Sequence, residues 1–543
     1  NQGILPWLRR ARLSQTLDTL CPRNLAPDGV IADLGRSEVR LVLRPTSFYA
    51  DILSDSMHPV ALYDAVEADH ACSRLGRGSP DFLRRAAMVE EFKQLRAADI
   101  PYFSIYADCR TPRIPGNDSF ALALPSSGLE LAQRRLAGMG CVDLARQRGL
   151  LRLALRAHDP GDLGEFLAGD VLEAATAIGD ALLSEAFHFD GGAAWLQILD
   201  AHGTVPRRIV PTDAWLYDGL LGISLFLARL AKATGDAKYQ IAAVAAVHEA
   251  RRQISLTTLP VAFGLFEGLG GLVYAFSHLA GLLGDESLLL DAEQAALKII
   301  PLVEQRLIGC DLVAGTAGVC LAALSLASVR KSEAAEGLIG ACAKDLSSIA
   351  DAPATARLLY ERGASHGWSG VLLAIARLFA ICPSASMGNS LAKAIKREAL
   401  LTSGGRWTDP GDSEHDGQTS WCHGVPGIAL CRSAAAGAIR LENLEDTARL
   451  AAEALEGINL AGLPTFGLCH GAPGAFEAMV SSSNAFEATM PDFVNLAKSE
   501  LAGRGHFLRP GLMTGITGLG HMLLRVYDPT IPSILSLDAP SSK

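Results

Sequence analysis

No uninterrupted apolar run in the chain reaches the roughly eighteen residues of a membrane span. The N-terminus also lacks the charged, apolar and small-residue regions of a signal peptide. Excess positive charge is missing: the formal charge is −10, which argues against broad electrostatic binding to nucleic acid or anionic lipid. A short basic run such as "RRARL" near Arg9 reads as a solvated helix face. The eleven cysteines, an odd number scattered without a framework, suit a reducing cytoplasm better than secretion. Apolar residues, by contrast, are plentiful. They make up 49% of 543 residues, so a large core is available, and the length suits roughly two to four domains. The chain begins with Asn rather than Met, so a piece of a longer polypeptide is expected.

Self-similarity is the strongest organisational signal. A Gly-x-x-Gly followed by an apolar, helix-like run occurs seven times: "YDGLLGISLFLARLA", "FEGLGGLVYAFSHLA", "VAGTAGVCLAALSLA", "SHGWSGVLLAIARLF", "WCHGVPGIALCRSAA", "LCHGAPGAFEAMVSS" and "LMTGITGLGHMLLRV". The copies lie roughly 45–57 residues apart, room for a helix pair with its connections. One glycine pair means little; seven in one register define an architecture. The helices after each motif are apolar on most faces, as buried helices are. The segments between, such as "DAKYQIAAVAAVHEARRQI" and "LEDTARLAAEALEGI", carry one charged face and read as outer helices. Inner helices alternating with outer ones give an α/α toroid, a seven-fold double helical barrel, whose seven motifs crowd one end of a central cavity. The repeats argue fold rather than activity.

Three copies break the monotony. The fifth carries Cys422 and His423, the sixth Cys469 and His470, and the fourth Ser365 and His366. If the motifs converge, these residues become neighbours, and thiolates with imidazoles favour zinc. Two zinc sites then compete. Four protein ligands make a saturated, structural Cys₂His₂ site; three leave a position for chemistry on an incoming thiol. Spacing alone leaves the choice open.

Repeats with "WCHG" and "LCHG" in the fifth and sixth copies, after an "HG" in the fourth, resemble the lanthionine-forming cyclase family over about residues 170–543. The resemblance implies zinc held by Cys422, Cys469 and His470, with His423 outside the ligand set. The fourth position then takes a cysteine of a substrate peptide. The implied reaction adds that thiolate to dehydroalanine or dehydrobutyrine and closes a thioether ring. His366 matches the family's acid/base histidine and Asp311 the acidic residue that orients it, although Asp311 by itself reads as an ordinary turn or cap residue. Trp421 matches a residue walling the substrate side of the metal, although a Trp beside an apolar helix is core by default. One departure stands out: some cyclases carry a basic residue where this chain has Gln418. His415 and His423 are left as neighbours rather than ligands.

Residues 1–165 have another texture and no repeat. "SEVRLVLRPTSFYADIL" reads as a strand, then a helix after Pro45. With "MHPVALYDAVEAD", "EFKQLRAADIPYFSIYADCRTP" and "ALALPSSGLELAQRRLAGMG" it resembles, in order, the last part of the dehydratase domain of class II lanthipeptide synthetases. The implied organisation is a partial, kinase-like α+β dehydratase segment at 1–165 and a complete cyclase at 166–543. In that family an Arg and a Thr eliminate phosphate from phosphorylated Ser and Thr; Arg40 and Thr46 match them. Arg44, sharing a strand face with Arg40 under period two, is the runner-up. No convincing set of residues for nucleotide and Mg²⁺ lies in 1–165, so ATP would be used only with the missing upstream part. The implied partner is a precursor peptide with a leader and a core containing Ser, Thr and Cys. Rival readings are a zinc-stabilised peptide-binding scaffold without turnover and another toroidal enzyme that alkylates thiols with zinc. A glycosidase would need paired carboxylates at the cavity, and the motifs offer few.

Overall fold

The computed structural model describes residues 37–59, 72, 75, 82–113, 123–137, 170–189, 191–199, 208–256, 262–352, 363–401, 419–463, 467–482, 486–503 and 509–540. The chain divides into two compact units, Asn1–Arg148 and Gly149–Lys543. The expected boundary at residue 165 lies outside the described residues.

In the first unit, strand β1 (Glu38–Leu41) pairs antiparallel with β2 (Phe103–Tyr106), Arg40 standing opposite Ser104. Helix α1 (Thr46–Ser56) starts after Pro45, whose fixed φ suits a helix entry. It packs on α2 (Phe82–Arg96), and α3 (Gly128–Ala137) follows. The strand-then-helix order read from "SEVRLVLRPTSFYADIL" is therefore present, but β1 stops at Leu41. Arg44 thus lies beyond the strand, and the period-two argument that put it on one face with Arg40 fails. It turns inward instead. Its Nε donates to Glu91 at 2.9 Å, and the Tyr49 hydroxyl donates to the same carboxylate at 2.6 Å. Burial, and then that carboxylate, push the Tyr49 phenol upward.

The second unit is mainly α. Seven inner helices follow the seven motifs: α5 (Leu220–Thr234), α7 (Leu269–Leu283), α9 (Thr316–Val329), α11 (Trp368–Ile381), α13 (Val425–Ala438), α15 (Ala472–Ser482) and α17 (Ile516–Tyr527). Each packs on the next, and α17 packs back on α5, so the ring closes. Leu220 to Leu230 of α5 are all buried, the all-round burial expected of an inner helix. The outer layer is α6 (Ala237–Leu256), α8 (Ser287–Glu304), α10 (Glu333–Asp351), α12 (Ala385–Leu401), α14 (Glu442–Leu455) and α16 (Phe486–Gly503). These bury one face only: in α8 it is Leu288, Leu289, Ala292, Ala295, Ala296, Ile299 and Val303, at helical spacing. The seventh outer helix precedes the first motif. It is α4 (Val171–Glu185), capped by Asp170 and packed on α17. Two short hairpins, β3–β4 (Phe187–Phe189, Gly192–Ala194) and β5–β6 (Leu196–Leu199, Arg208–Pro211), join α4 to α5. This is the α/α toroid read from the repeats.

Candidate metal centre

The motif glycines explain why every inner helix begins alike. A Cβ at Gly427 would sit 1.8 Å from the Trp421 carbonyl oxygen, and one at Gly474 1.9 Å from that of Leu468. Only glycine lets the first helical turn approach the preceding loop so closely. The same approach recurs at Gly222, Gly271, Gly318, Gly370 and Gly518. Each loop is folded against its own helix and then bonded to the next loop. Tyr217 N–H donates to Phe266 C=O (3.0 Å), Phe266 to Val313 (3.2 Å), Val313 to Ser365 (3.3 Å) and Ser365 to Cys422 (3.1 Å). Trp421 N–H donates to Cys469 C=O (2.8 Å), Cys469 to Met513 (2.8 Å) and Met513 to Tyr217 (2.9 Å), completing the circle.

That circle places one residue per repeat in each of two registers. Two positions before the first glycine stand Tyr217, Phe266, Val313, Ser365, Cys422, Cys469 and Met513. One position before it stand Asp218, Glu267, Ala314, His366, His423, His470 and Thr514. Cys422 and Cys469 are members of the first register and the histidines of the second.

Among the described residues, Cys422, Cys469 and His470 form a group whose donor atoms all lie within 4.8 Å of one another, and His423 is not a member. Cys422 Sγ lies 3.1 Å from His470 Nε2, and Cys469 Sγ lies 4.0 Å from it. Tetrahedral zinc with ordinary Zn–S and Zn–N bonds sets such edges at about 3.6 Å, so the two distances bracket what the ion requires. The electrostatics fit as well. The neighbouring Cys469 draws the Cys422 thiol down, helped by His423 and His470. The same contact and burial drive Cys469 up. The nearby Cys422 sulfur raises the His470 imidazole. Two sulfurs and an imidazole crowded together are a site whose protons a cation would replace.

His366 lies on the neighbouring loop, exposed, with its ring centroid 6.1 Å from that of His423. Its Nδ1 is 3.2 Å from Asp311 Oδ2. Asp311 Oδ1 accepts from the Ala314 N–H at 2.7 Å, so the residue is both a turn-former and the histidine's partner. Trp421 is 1% exposed and meets Phe266 edge-on at 5.7 Å, which places it in the packed core behind the loop. Gln418 and His415 lie outside the described residues. In the first unit Arg40 is exposed on β1 with its guanidinium over the Tyr102 ring, and Thr46 is exposed in the first turn of α1.

Sequence reasoning missed two residues of the first motif. Burial first, and then the nearby Cys469, push the Tyr217 phenol up. Asp218 ties the last loop to the first: its Oδ1 accepts from Met513 N–H (3.0 Å) and Thr514 N–H (2.9 Å), and the Thr514 hydroxyl donates to Oδ2. Burial raises this carboxyl despite those bonds. The signal was available, since Tyr217 holds the register of Cys422 and Cys469.

A family model described as lanthionine synthetase C-like protein matches residues 210–538. The chain belongs to the lanthionine synthetase C-like family. Lanthionine ring formation, in general terms, is thus its class of chemistry. A second model, a domain of unknown function, matches residues 13–106. No curated protein sequence matches. Among solved structures, nisin cyclase is similar at 19% identity with a TM-score of 0.49, over 60% of this chain and 92% of that one. The GH76A alpha-1,6-mannanase from Salegentibacter sp. HEL1_6 is similar at 13% identity with a TM-score of 0.34, over 61% of this chain and all of the other. In this lanthionine synthetase C-like chain no described helix is long and apolar enough to cross a membrane.

Proposed function

We propose that the second unit closes thioether rings in a precursor peptide, adding a cysteine thiol across the double bond of dehydroalanine or dehydrobutyrine. The observation that carries this reading is a donor set of two thiols and one imidazole, one short of a closed tetrahedral site. Cys422, Cys469 and His470 would hold the ion; when bound, zinc lowers the pKa of an incoming thiol and keeps it as the attacking thiolate. The remaining steps belong to the chain. His366, held through Nδ1 by Asp311, would accept the thiol proton at its other ring nitrogen. Sulfur bonds to the β-carbon, the double-bond pair moves to the α-carbon and its carbonyl, and His366 returns a proton to the α-carbon. The thiol hydrogen thus ends on the product and no redox partner is needed. His423 stays a neighbour of Cys422. Trp421 backs the site through packing. Free thiols are required, and the nine described cysteines are all free, in keeping with a reducing cytoplasm.

For the first unit we infer a part in eliminating phosphate from phosphorylated Ser and Thr, with Arg40 binding the departing phosphate and Thr46 beside it. Both are exposed, as substrate contact requires. ATP and Mg²⁺ would serve a phosphorylating part outside these residues.

Incubating a pre-dehydrated, cysteine-containing peptide with the protein and following loss of free thiol tests the cyclase reading. Equal rates for the unaltered protein and Cys469→Ala would end it.

A further inference from the structure

In the first unit Arg40 lies on β1 and Thr46 opens α1, and residues 42–45 join the two elements. One face of α2 holds both sides of this connection. Gln94 brackets Tyr102: its Oε1 accepts from the Tyr102 N–H at 2.8 Å and its Nε2 donates to the Tyr102 carbonyl at 3.5 Å. The Arg40 guanidinium lies over that Tyr102 ring, 5.7 Å from its centre. Three residues earlier on α2, a spacing that shares a helix face, stands the fully buried Glu91. Its Oε1 accepts from Arg44 Nε at 2.9 Å and from the Tyr49 hydroxyl at 2.6 Å. Arg44 precedes Thr46 by two residues and Tyr49 follows it by three, so one oxygen pins the chain on either side of Thr46. The Arg44 guanidinium also lies 5.5 Å from the centre of the Phe48 ring, and Leu43 packs with Ala87 and Phe103. Arg44 Nη2 and Glu91 Oε2 are buried without a hydrogen-bond partner. A buried pair left half satisfied is a weak source of stability, and apolar residues of similar volume would serve packing as well. What this pair supplies is a fixed backbone between β1 and α1.

We propose that Glu91 is a positioning residue for phosphate elimination: by holding Arg44 and Tyr49 on one carboxylate oxygen it sets where Thr46 stands relative to Arg40. This role rests on the elimination reading above, and Glu91, buried behind the connection, acts without touching substrate. In that reaction the α-carbon loses a proton and its electron pair forms the double bond to the β-carbon. The pair of the breaking β-carbon–oxygen bond leaves with the phosphate, so no redox partner is needed. Arg40, carried by β1 and Tyr102, keeps its hold on the phosphate when Glu91 is changed. Thr46 loses its fixed place beside the departing group, so the loss falls on turnover rather than on binding.

The test follows release of inorganic phosphate from a phosphoserine-containing peptide by the whole chain, over a range of peptide concentrations. Glu91→Leu should lower kcat on the order of 10²-fold, the scale of a misplacement of about 1 Å, with KM unchanged. Tyr49→Phe keeps the ring and the Arg44–Glu91 pair, strands no charge, and should lower kcat about tenfold. It decides the matter if Glu91→Leu does not fold. In a Thr46→Ala background neither change should have any further effect, because the residue they position is gone. Losses of the same size in both backgrounds, a change in KM alone, or unchanged rates overturn the proposal and leave the elimination reading standing. No phosphate release by the unaltered chain, or a Thr46→Ala rate equal to it, overturns the elimination reading and this proposal together.

Discussion

The two ends of the inner ring place polar side chains inside the same toroid with opposite outcomes. At the helix N-termini, cysteines and histidines stand in loops, their donor atoms converge, and His366 and His470 are exposed. About 8 to 14 Å further along, at roughly 1.5 Å per residue, Arg229, His278, Glu477, His521 and Arg525 also point inward. Here the segment after α17 closes over them. Ile534, Leu535 and Leu537 are buried; Tyr274 donates to Ser533 and Asp538 carbonyls, Arg377 donates to the Leu537 carbonyl at 2.7 Å, and His278 Nε2 lies 3.1 Å from the Asp538 carbonyl. Titratable residues thus mark a site at one end and a sealed network at the other. What separates them is access, not residue type.

The sharpest way to break this contrast is at the open end. Cys469→Ala should return ring closure to the uncatalysed rate and strip the metal, read by thiol loss and by metal analysis, with the far end and the fold intact. His366→Asn should lower the cyclisation rate by about 10²–10⁴-fold while metal content stays at one ion per chain. A variant that loses metal together with rate would show that His366 belongs to the ion rather than to the proton.

The fold was legible because seven glycine pairs recur before seven apolar runs, and a carbonyl fewer than 3 Å from each second glycine's missing Cβ makes that recurrence obligatory. Cys422, Cys469 and His470 were legible as metal-binding types, since thiol and imidazole in repeated register have few other uses. Three features were not. The outer helix α4 precedes the first motif, so no repeat announces it. Tyr217 shares the register of the cysteines but is not a metal-ligand type, and it stands near Cys469, 252 positions away in sequence, from 217 to 469. Arg44 looked like a strand residue because "EVRLVLR" alternates, yet Glu91, far along the chain, captures it.

At the sealed end, breaking an ion pair should cost stability and leave catalysis alone. Glu477 is fully buried, 2.5 Å from Arg525 Nη1, and accepts from the Ser533 hydroxyl. Glu477→Ala strands the Arg525 charge and should destabilise the second unit by about 3–5 kcal/mol in urea unfolding. Metal content and cyclisation below the transition should not change. Loss of metal at low urea would mean that the two ends are coupled.

The last effect is a pH dependence of stability that originates at the sealed end. His278 and His521 are held well below the usual histidine range, first by burial and then by the Arg229 guanidinium, whose Nη1 lies 3.1 Å from His521 Nδ1 and whose Nη2 lies 3.4 Å from His278 Nδ1. Both are neutral in the fold. In the unfolded chain they take up protons below about pH 6.5, so there the unfolded state binds more protons and stability rises with pH. Above pH 6.5 the two contribute no slope. Below it, stability should fall by up to about 2.7 kcal/mol per pH unit once both titrate in the unfolded chain, until the depressed folded values are reached. Urea midpoints between pH 7.5 and 5 measure the slope. His278→Gln should remove about half of that histidine-linked part; an unchanged slope would mean that His278 is already protonated in the fold, and that the far end is less sealed than its packing requires.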